Sequence, residues 1–173
     1  QATPHDYNKT FALVESWVER FVTATQPDKV KESMCFASPS ERLKFFTRLS
    51  GEIGKRGVVD VLRKGYKFNG NTFDLYYPIP SQLNPSAKAA YKQNIFGVIR
   101  QVRYSTQNTN EIDFVVFING LPLATFELKN NYTGQTYENA IKQYQTERDS
   151  KDLLLQKKRC AVHFAVDDQQ VWM

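Results

Sequence analysis

Apolar residues recur at helical spacing through the first part of the chain and at strand spacing through the second. Over residues 8–24, Phe11, Val14, Val18 and Phe21 fall on one side of a helix, with Leu13, Trp17 and Val22 widening the stripe. A core-facing helix is expected there, with Glu15 and Glu19 on its solvated side and Gln26-Pro27-Asp28 as its end. Ser38-Pro39-Ser40-Glu41 is a capping box with proline at the first helical position. Leu43, Phe46, Leu49 and Ile53 then predict a helix to about Ile53, closed by Gly54 and Gly57. Residues 58–62 are short and apolar and lead to Arg63-Lys64, 72–77 alternate as a strand, 78–85 form a loop between prolines, and 86–92 make a helical turn.

Beyond that point residues 94–104 predict a strand, 107–110 a turn, and 112–118 with 123–128 two strongly apolar runs flanking Asn119-Gly120, a hairpin signal. After a polar stretch at 130–134, a helix is expected over 135–149, with Tyr137, Ala140, Ile141, Tyr144 and Arg148 on its core side and Gln143 off that stripe. Residues 151–158 connect to a strand at 159–166, a turn at Asp167-Asp168 and a closing strand at 170–173. His163, inside the first of these strands, reads as a packed core histidine. The succession of strand, hairpin, helix and strand predicts an α/β (α+β) fold. A mixed central sheet is flanked by helices, with an N-terminal helical elaboration. We expect a single domain over 1–173, mainly helical over 1–70 and a sheet core over 72–173.

Three charges interrupt the apolar hairpin: Asp113, Glu127 and Lys129. Unpaired carboxylates in such surroundings are unfavourable by several kcal/mol. Glu127 and Lys129, two apart on a strand, share a face. A two-residue turn at Asn119-Gly120 would put Asp113 on the opposite face. A three-residue turn, Asn119 to Leu121, sets Asp113 across from Glu127, and Pro122, lacking a ladder N–H, favours an irregular register. The expectation is therefore the three-residue turn. Two carboxylates on one face suit a hard divalent cation, Mg²⁺ or Mn²⁺, with the main-chain carbonyl of Leu128 as a further ligand. A lysine beside them suits stabilisation of a phosphate in flight. The plainer alternative is a structural ion pair of Lys129 with Glu127 or Asp113.

The remaining composition narrows the picture. The chain has 173 residues, a net charge of +5, and no acidic residue from Leu75 to Asn110, where Lys88, Lys92, Arg100 and Arg103 are interleaved with Tyr76, Tyr77, Tyr91, Phe96 and Tyr104. Such a segment suits a phosphate backbone, although a solvated surface with ordinary core aromatics has the same composition. Cys35 and Cys160 with two histidines give no zinc framework, and a reduced, cytoplasmic setting is the default. No run of apolar residues is long enough for a membrane span. No glycine-rich phosphate loop of the GxxxxGK[ST] type occurs, so ATP binding by this chain is not expected. Starting at Gln1, the chain reads as a piece of a longer polypeptide.

With the hairpin triplet, residues 94–105 (NIFGVIRQVRYS), 112–130, Thr133-Gly134-Gln135, 140–148 (AIKQYQTER) and 159–171 (RCAVHFAVDDQQV) carry a resemblance to a known family. The triplet resembles the PD-(D/E)xK nuclease signature. The longer match is similar to the N-terminal endonuclease domain of the restriction (R) subunit of type I restriction enzymes, more diffusely also through Thr25-Gln26-Pro27 and residues 61–65. Ile112 stands where the signature has proline, and Glu147 where the family's Gln-x-x-x-Tyr has tyrosine after Gln143.

The resemblance implies a restriction-endonuclease-like core and a Mg²⁺-dependent (or Mn²⁺-dependent) endonuclease. Asp113 and Glu127 would hold the metal and Lys129 would act on water and phosphate. The expected DNA contacts are Arg100, Arg103, Tyr104, Asn130, Thr133, Gln135 and Gln143. Implied partners are double-stranded DNA and the methylation and specificity subunits of a restriction-modification complex. ATP would serve only a translocase further along the subunit. Alternatives are a DNA-binding or docking module inactive by itself, and a repair or junction nuclease of the same superfamily.

Overall fold

Proline opens several of the described helices, at Pro27, Pro39 and Pro85. The computed structural model describes residues 3–81, 84–130 and 134–173. Helix α1 (Glu15–Thr25) starts later than its apolar stripe predicts. Residues before it turn back instead, with Asn8 and Leu13 exchanging backbone hydrogen bonds and Ala12 at φ 53°. Leu13 and Val14 are buried all the same, because the stripe reports the core rather than the helix. Pro27 does not only end α1; it is the first residue of α2 (Pro27–Ser33). Ser38 caps α3 (Pro39–Arg56) as expected, its Oγ accepting the Glu41 N–H at 3.2 Å. The helix runs through Gly54, a glycine weakening it by only about 1 kcal/mol, and stops at Gly57, whose φ is 92°. Residues 58–62 belong to a further helix, α4 (Val58–Lys64).

Within residues 72–77 only the start is paired. Strands β1 (Tyr66–Phe68) and β2 (Asn71–Phe73) form a small hairpin across Asn69-Gly70. Phe45 sits against Phe36, Phe46, Tyr66, Phe68 and Phe73 at centroid distances of 5.0–5.4 Å. This aromatic cluster is the centre of the N-terminal core, which reaches Val18 and Phe21 on one side and Leu121 on the other. A short helix, α5 (Pro85–Lys92), capped by Asn84, follows the loop.

The larger sheet takes the order β3 (Phe96–Arg103), β4 (Glu111–Ile118), β5 (Leu121–Leu128), β6 (Val162–Val166), β7 (Val171–Trp172). Its neighbours are antiparallel except β5 and β6, which are parallel and joined through α6 (Tyr137–Lys142). The architecture is thus mixed α/β, a five-stranded mixed sheet with helices, most of them N-terminal to it.

The central hairpin corrects one expectation. Ile118 pairs with Leu121, so the turn has two residues, not three, and both adopt positive φ (Asn119 49°, Gly120 85°). The register then slips at a bulge: Phe117 faces Pro122 but Val116 faces Ala124, leaving Leu123 as the extra residue. One inserted residue has the same effect downstream wherever it sits. The sheet regains the register in which Phe114 faces Phe126, and position 113 comes next to face position 127.

The turn itself is buried. Asn119 Nδ2 donates to the Leu75 carbonyl (2.8 Å) and Asn94 Oδ1 (2.9 Å), while Asn119 Oδ1 accepts the Ile95 N–H at 2.6 Å. The Gly120 carbonyl accepts the Val14 N–H at 2.9 Å. A Cβ on Gly120 would lie 2.4 Å from the Val14 carbonyl oxygen. Nearby, Trp17 packs so closely on β3 that a Cβ on Gly97 would lie 2.1 Å from its ring. On one face the sheet buries Ile99, Val115 and Phe117 with Val14 and Leu154. On the other face Phe114, Phe126 and Phe164 stack rung by rung across β4, β5 and β6, at 4.3 and 4.8 Å.

Candidate active site

The pairing of β4 with β5 ends at Phe114 and Phe126, and the next residues open into a fork. Past that rung the Leu128 N–H donates to the Asp113 carboxylate, Oδ2, at 2.6 Å instead of to a carbonyl on β4. β5 remains tied to β6 through Leu128 and Val166, and the Lys129 N–H donates to the Val166 carbonyl at 2.8 Å. On the other flank of β4, Arg100 faces Phe114 and Val102 faces Ile112, while the intervening Gln101 has φ 51°. A left-handed glutamine inside a strand is a strained conformation of order 1–2 kcal/mol. It loosens β4 at Asp113 from the β3 side as the fork does from the β5 side.

Glu127 points from β5 to the face shared with Thr125 and is almost wholly buried, at 1% exposure. Burial lifts its carboxyl to about 7; Arg148 pulls it back, Asp113 pushes it further up, and Lys129 lowers it. Its partner is Arg148, whose Nη2 lies 2.5 Å from Glu127 Oε1, with the two side chains 7% and 2% exposed. The same nitrogen donates to the Glu111 carbonyl at 2.7 Å, and the guanidinium carbon lies 5.6 Å from the centre of the Tyr104 ring. The charges of the pair sustain one another, as the raised affinity of Arg148 for its proton also indicates. For Glu127, however, desolvation outweighs the pairing.

Arg148 arrives there by an irregularity. Helix α6 gives way at Gln143–Glu147 to a π-turn, closed by the Arg148 N–H donating to the Gln143 carbonyl at 3.0 Å. The wider turn rotates the following side chain, and such turns are frequent at functional sites. The expected continuous helix over 135–149 is therefore shorter. Tyr144, from the same turn, lies 2.8 Å from Thr125 Oγ1, and His163 Nδ1 lies 2.7 Å from the same hydroxyl. His163 is packed on the sheet, and burial pushes its pKa down.

Each carboxylate thus has one oxygen engaged: Asp113 Oδ2 by the Leu128 N–H and Glu127 Oε1 by Arg148. Among the described residues no donor reaches Asp113 Oδ1 or Glu127 Oε2. Lys129 is half-buried beside them and forms no ion pair with a described carboxylate, so neither of the structural lysine pairs considered above is present. Among the described residues there is no group of three or more histidine, cysteine, aspartate or glutamate side chains fit to hold a metal. Two carboxylates with free oxygens and the Leu128 main chain between Glu127 and Lys129 nevertheless suit Mg²⁺, which keeps several waters and takes one or two protein carboxylates.

The expected DNA contacts are dispersed. Arg100 is exposed but paired across from Phe114, on the face opposite Glu127. Arg103 donates from Nε to Glu111 Oε1 at 2.8 Å. Tyr104 is buried, its ring turned to Arg148. Asn130 and Gln135 are exposed on either side of the approach to α6. Gln143 is half-buried, with its Oε1 buried and unpartnered among the described residues. Thr133 lies outside the described residues. Glu15 and Glu19 are both held by Arg42, Glu19 at 3.0 Å. Arg148 was readable as a core-side position of its helix, but nothing in the local pattern named Glu127 as its partner. A cation on an apolar stripe was the available signal.

The fold is a mixed α+β arrangement, consistent with a nuclease-like core. Residues 58–173 match the family described as type I restriction enzyme R protein N terminus, and the chain belongs to that family. Asp113, Glu127, Lys129 and Arg148 all lie within the matched region. No curated protein and no solved structure matches the chain. Among the described residues no helix is long and apolar enough to cross a membrane.

Proposed function

We propose that this chain is the Mg²⁺-dependent endonuclease part of a type I restriction enzyme R subunit, hydrolysing phosphodiester bonds of double-stranded DNA. The observation that carries the reading is the fork between β4 and β5. Among the described residues it leaves one oxygen of Asp113 and one of Glu127 unclaimed, with Lys129 alongside.

Asp113 and Glu127 would hold the metal through those oxygens, with the Leu128 carbonyl. Bound there, Mg²⁺ (or Mn²⁺) supplies Lewis acidity toward a phosphate oxygen and makes water more acidic. The residues do the rest. The Lys129 ammonium offsets negative charge gathering on the phosphate and orients the attacking water by hydrogen bonding. The rigid stack of Phe114, Phe126 and Phe164 holds the strands that carry these groups. Exposed Asn130 and Gln135 and the half-buried Gln143 lie in the segments just after Lys129, where they would orient the duplex. Partners of the intact subunit in this reading are the methylation and specificity subunits, in the cytoplasm, with ATP used by its translocase.

The test compares wild type and Lys129→Ala in the intact R subunit, assembled with its partner subunits. Lys129→Ala is expected to keep ATP hydrolysis and lose DNA cleavage. Undiminished cleavage by that variant would remove the proposal.

A further inference from the structure

We infer that Arg148 is a positioning residue that presets the acidic pair for a divalent cation, gripping one oxygen of Glu127 and leaving the other to the metal. The inference deepens the metal-dependent nuclease reading and rests on it for what the pair receives.

Three observations carry it. First, Arg148 Nη2 is bound to both arms of the fork at once, to Glu127 Oε1 on β5 and to the Glu111 carbonyl at the start of β4. The guanidinium therefore sets the width of the gap in which Asp113 and Glu127 face each other. Its plane is backed by the Tyr104 ring just beyond β3. Second, the π-turn at Gln143–Glu147 is the local departure that delivers Arg148 to this place. Third, the arrangement is poorly satisfied for a purely structural bridge, because Arg148 Nε is buried without a partner among the described residues. A buried ion pair adds little stability over well-packed apolar residues of similar volume. Its value at this position lies in fixing where the carboxylate points. Groups that hold metal ligands in this way commonly change metal affinity by about 10–100-fold when removed.

The experiment uses the 173-residue chain and Mn²⁺ as the probe, with calorimetry on wild type, Arg148→Gln, Arg148→Lys and Asp113→Ala, and thermal unfolding of each. Arg148→Gln is expected to lower Mn²⁺ affinity by about 10–100-fold while folded, and Arg148→Lys to recover part of it. A residue with a merely structural role would lower the unfolding temperature and leave the affinity alone, which overturns the inference. A higher affinity in Arg148→Gln overturns it too, since the guanidinium would then compete with the cation. The parent reading fails separately, if wild type takes up no more Mn²⁺ than Asp113→Ala. The metal-free crystal structure of Arg148→Gln then decides the clamp alone: a displaced Glu127 carboxylate supports it, an unmoved one overturns it. Should Arg148→Gln not fold, Arg148→Lys carries the same comparisons with smaller shifts.

Discussion

Asp113 accepts the backbone N–H of Leu128 at 2.6 Å, so the side chain of one strand substitutes for the ladder of the next. Asp113→Ala removes this acceptor as well as the charge, whereas Asp113→Asn keeps an oxygen for the N–H. Both are expected to abolish cleavage. Asp113→Ala should lose about 1–2 kcal/mol of stability, and Asp113→Asn less. Urea unfolding beside a cleavage assay separates the two effects; cleavage surviving in Asp113→Asn would argue against the carboxylate's role.

Glu127 and Arg148 are each other's compensation in a dry site. Glu127→Ala strands a guanidinium and Arg148→Ala a carboxylate, so each single change is expected to destabilise by about 3–5 kcal/mol. Replacing both, as Glu127→Leu with Arg148→Met, should destabilise by clearly less than the sum of the single alanine changes. Additive losses across the denaturation curves would mean that the contact contributes nothing.

His163 gives a pH dependence of known sign. Its pKa is held below the ordinary value of 6.5 by burial, so the unfolded chain binds its proton first. The stability it contributes is complete above about pH 6.5 and falls on acidification, by at most about 1.4 kcal/mol per pH unit for one proton. Glu127, with its raised pKa, contributes the opposite slope. The comparison of wild type with His163→Gln isolates the histidine, and the variant should lose less stability between pH 7 and pH 5. Parallel curves for the two proteins would count against it.

Gly97 lies under the Trp17 ring with no room for a methyl group. Gly97→Ala is expected to destabilise by about 1–3 kcal/mol through overpacking, and Trp17→Phe in the same chain to restore part of the loss. Thermal unfolding of the two variants checks this. Independent, additive effects would show that the contact is not the cause.

Much of the site was legible because its signals are local. Asn119-Gly120 announces a hairpin, and three charges within its two apolar runs mark the candidate site. The facing of Asp113 and Glu127 was anticipated through the wrong device, a longer turn, since an inserted residue at the turn and a bulge at Leu123 produce the same register. The Asn69-Gly70 hairpin carried the same dipeptide and went unread because its strands are only three residues each. Residues 8–14 have the spacing of a helix in their buried positions, while Asn8 and Leu13 pair with each other and the Val14 N–H goes to the distant Gly120 carbonyl. The pairing of Arg148 with Glu127 spans 21 residues and depends on a π-turn that no spacing rule forecasts.

The depth at which Asn119 sits has a practical consequence. The family match starts at residue 58, yet the hairpin tip rests on Val14 and Val18, and Leu121 completes a core of which about half comes from residues ahead of that boundary. Trimming a clone to the matched stretch would strip the lid from the tip, wetting the amide hub and the apolar residues beside it. The helices outside the match are the foundation on which the hairpin stands, and an insoluble truncation would reveal nothing about the role proposed for Asp113.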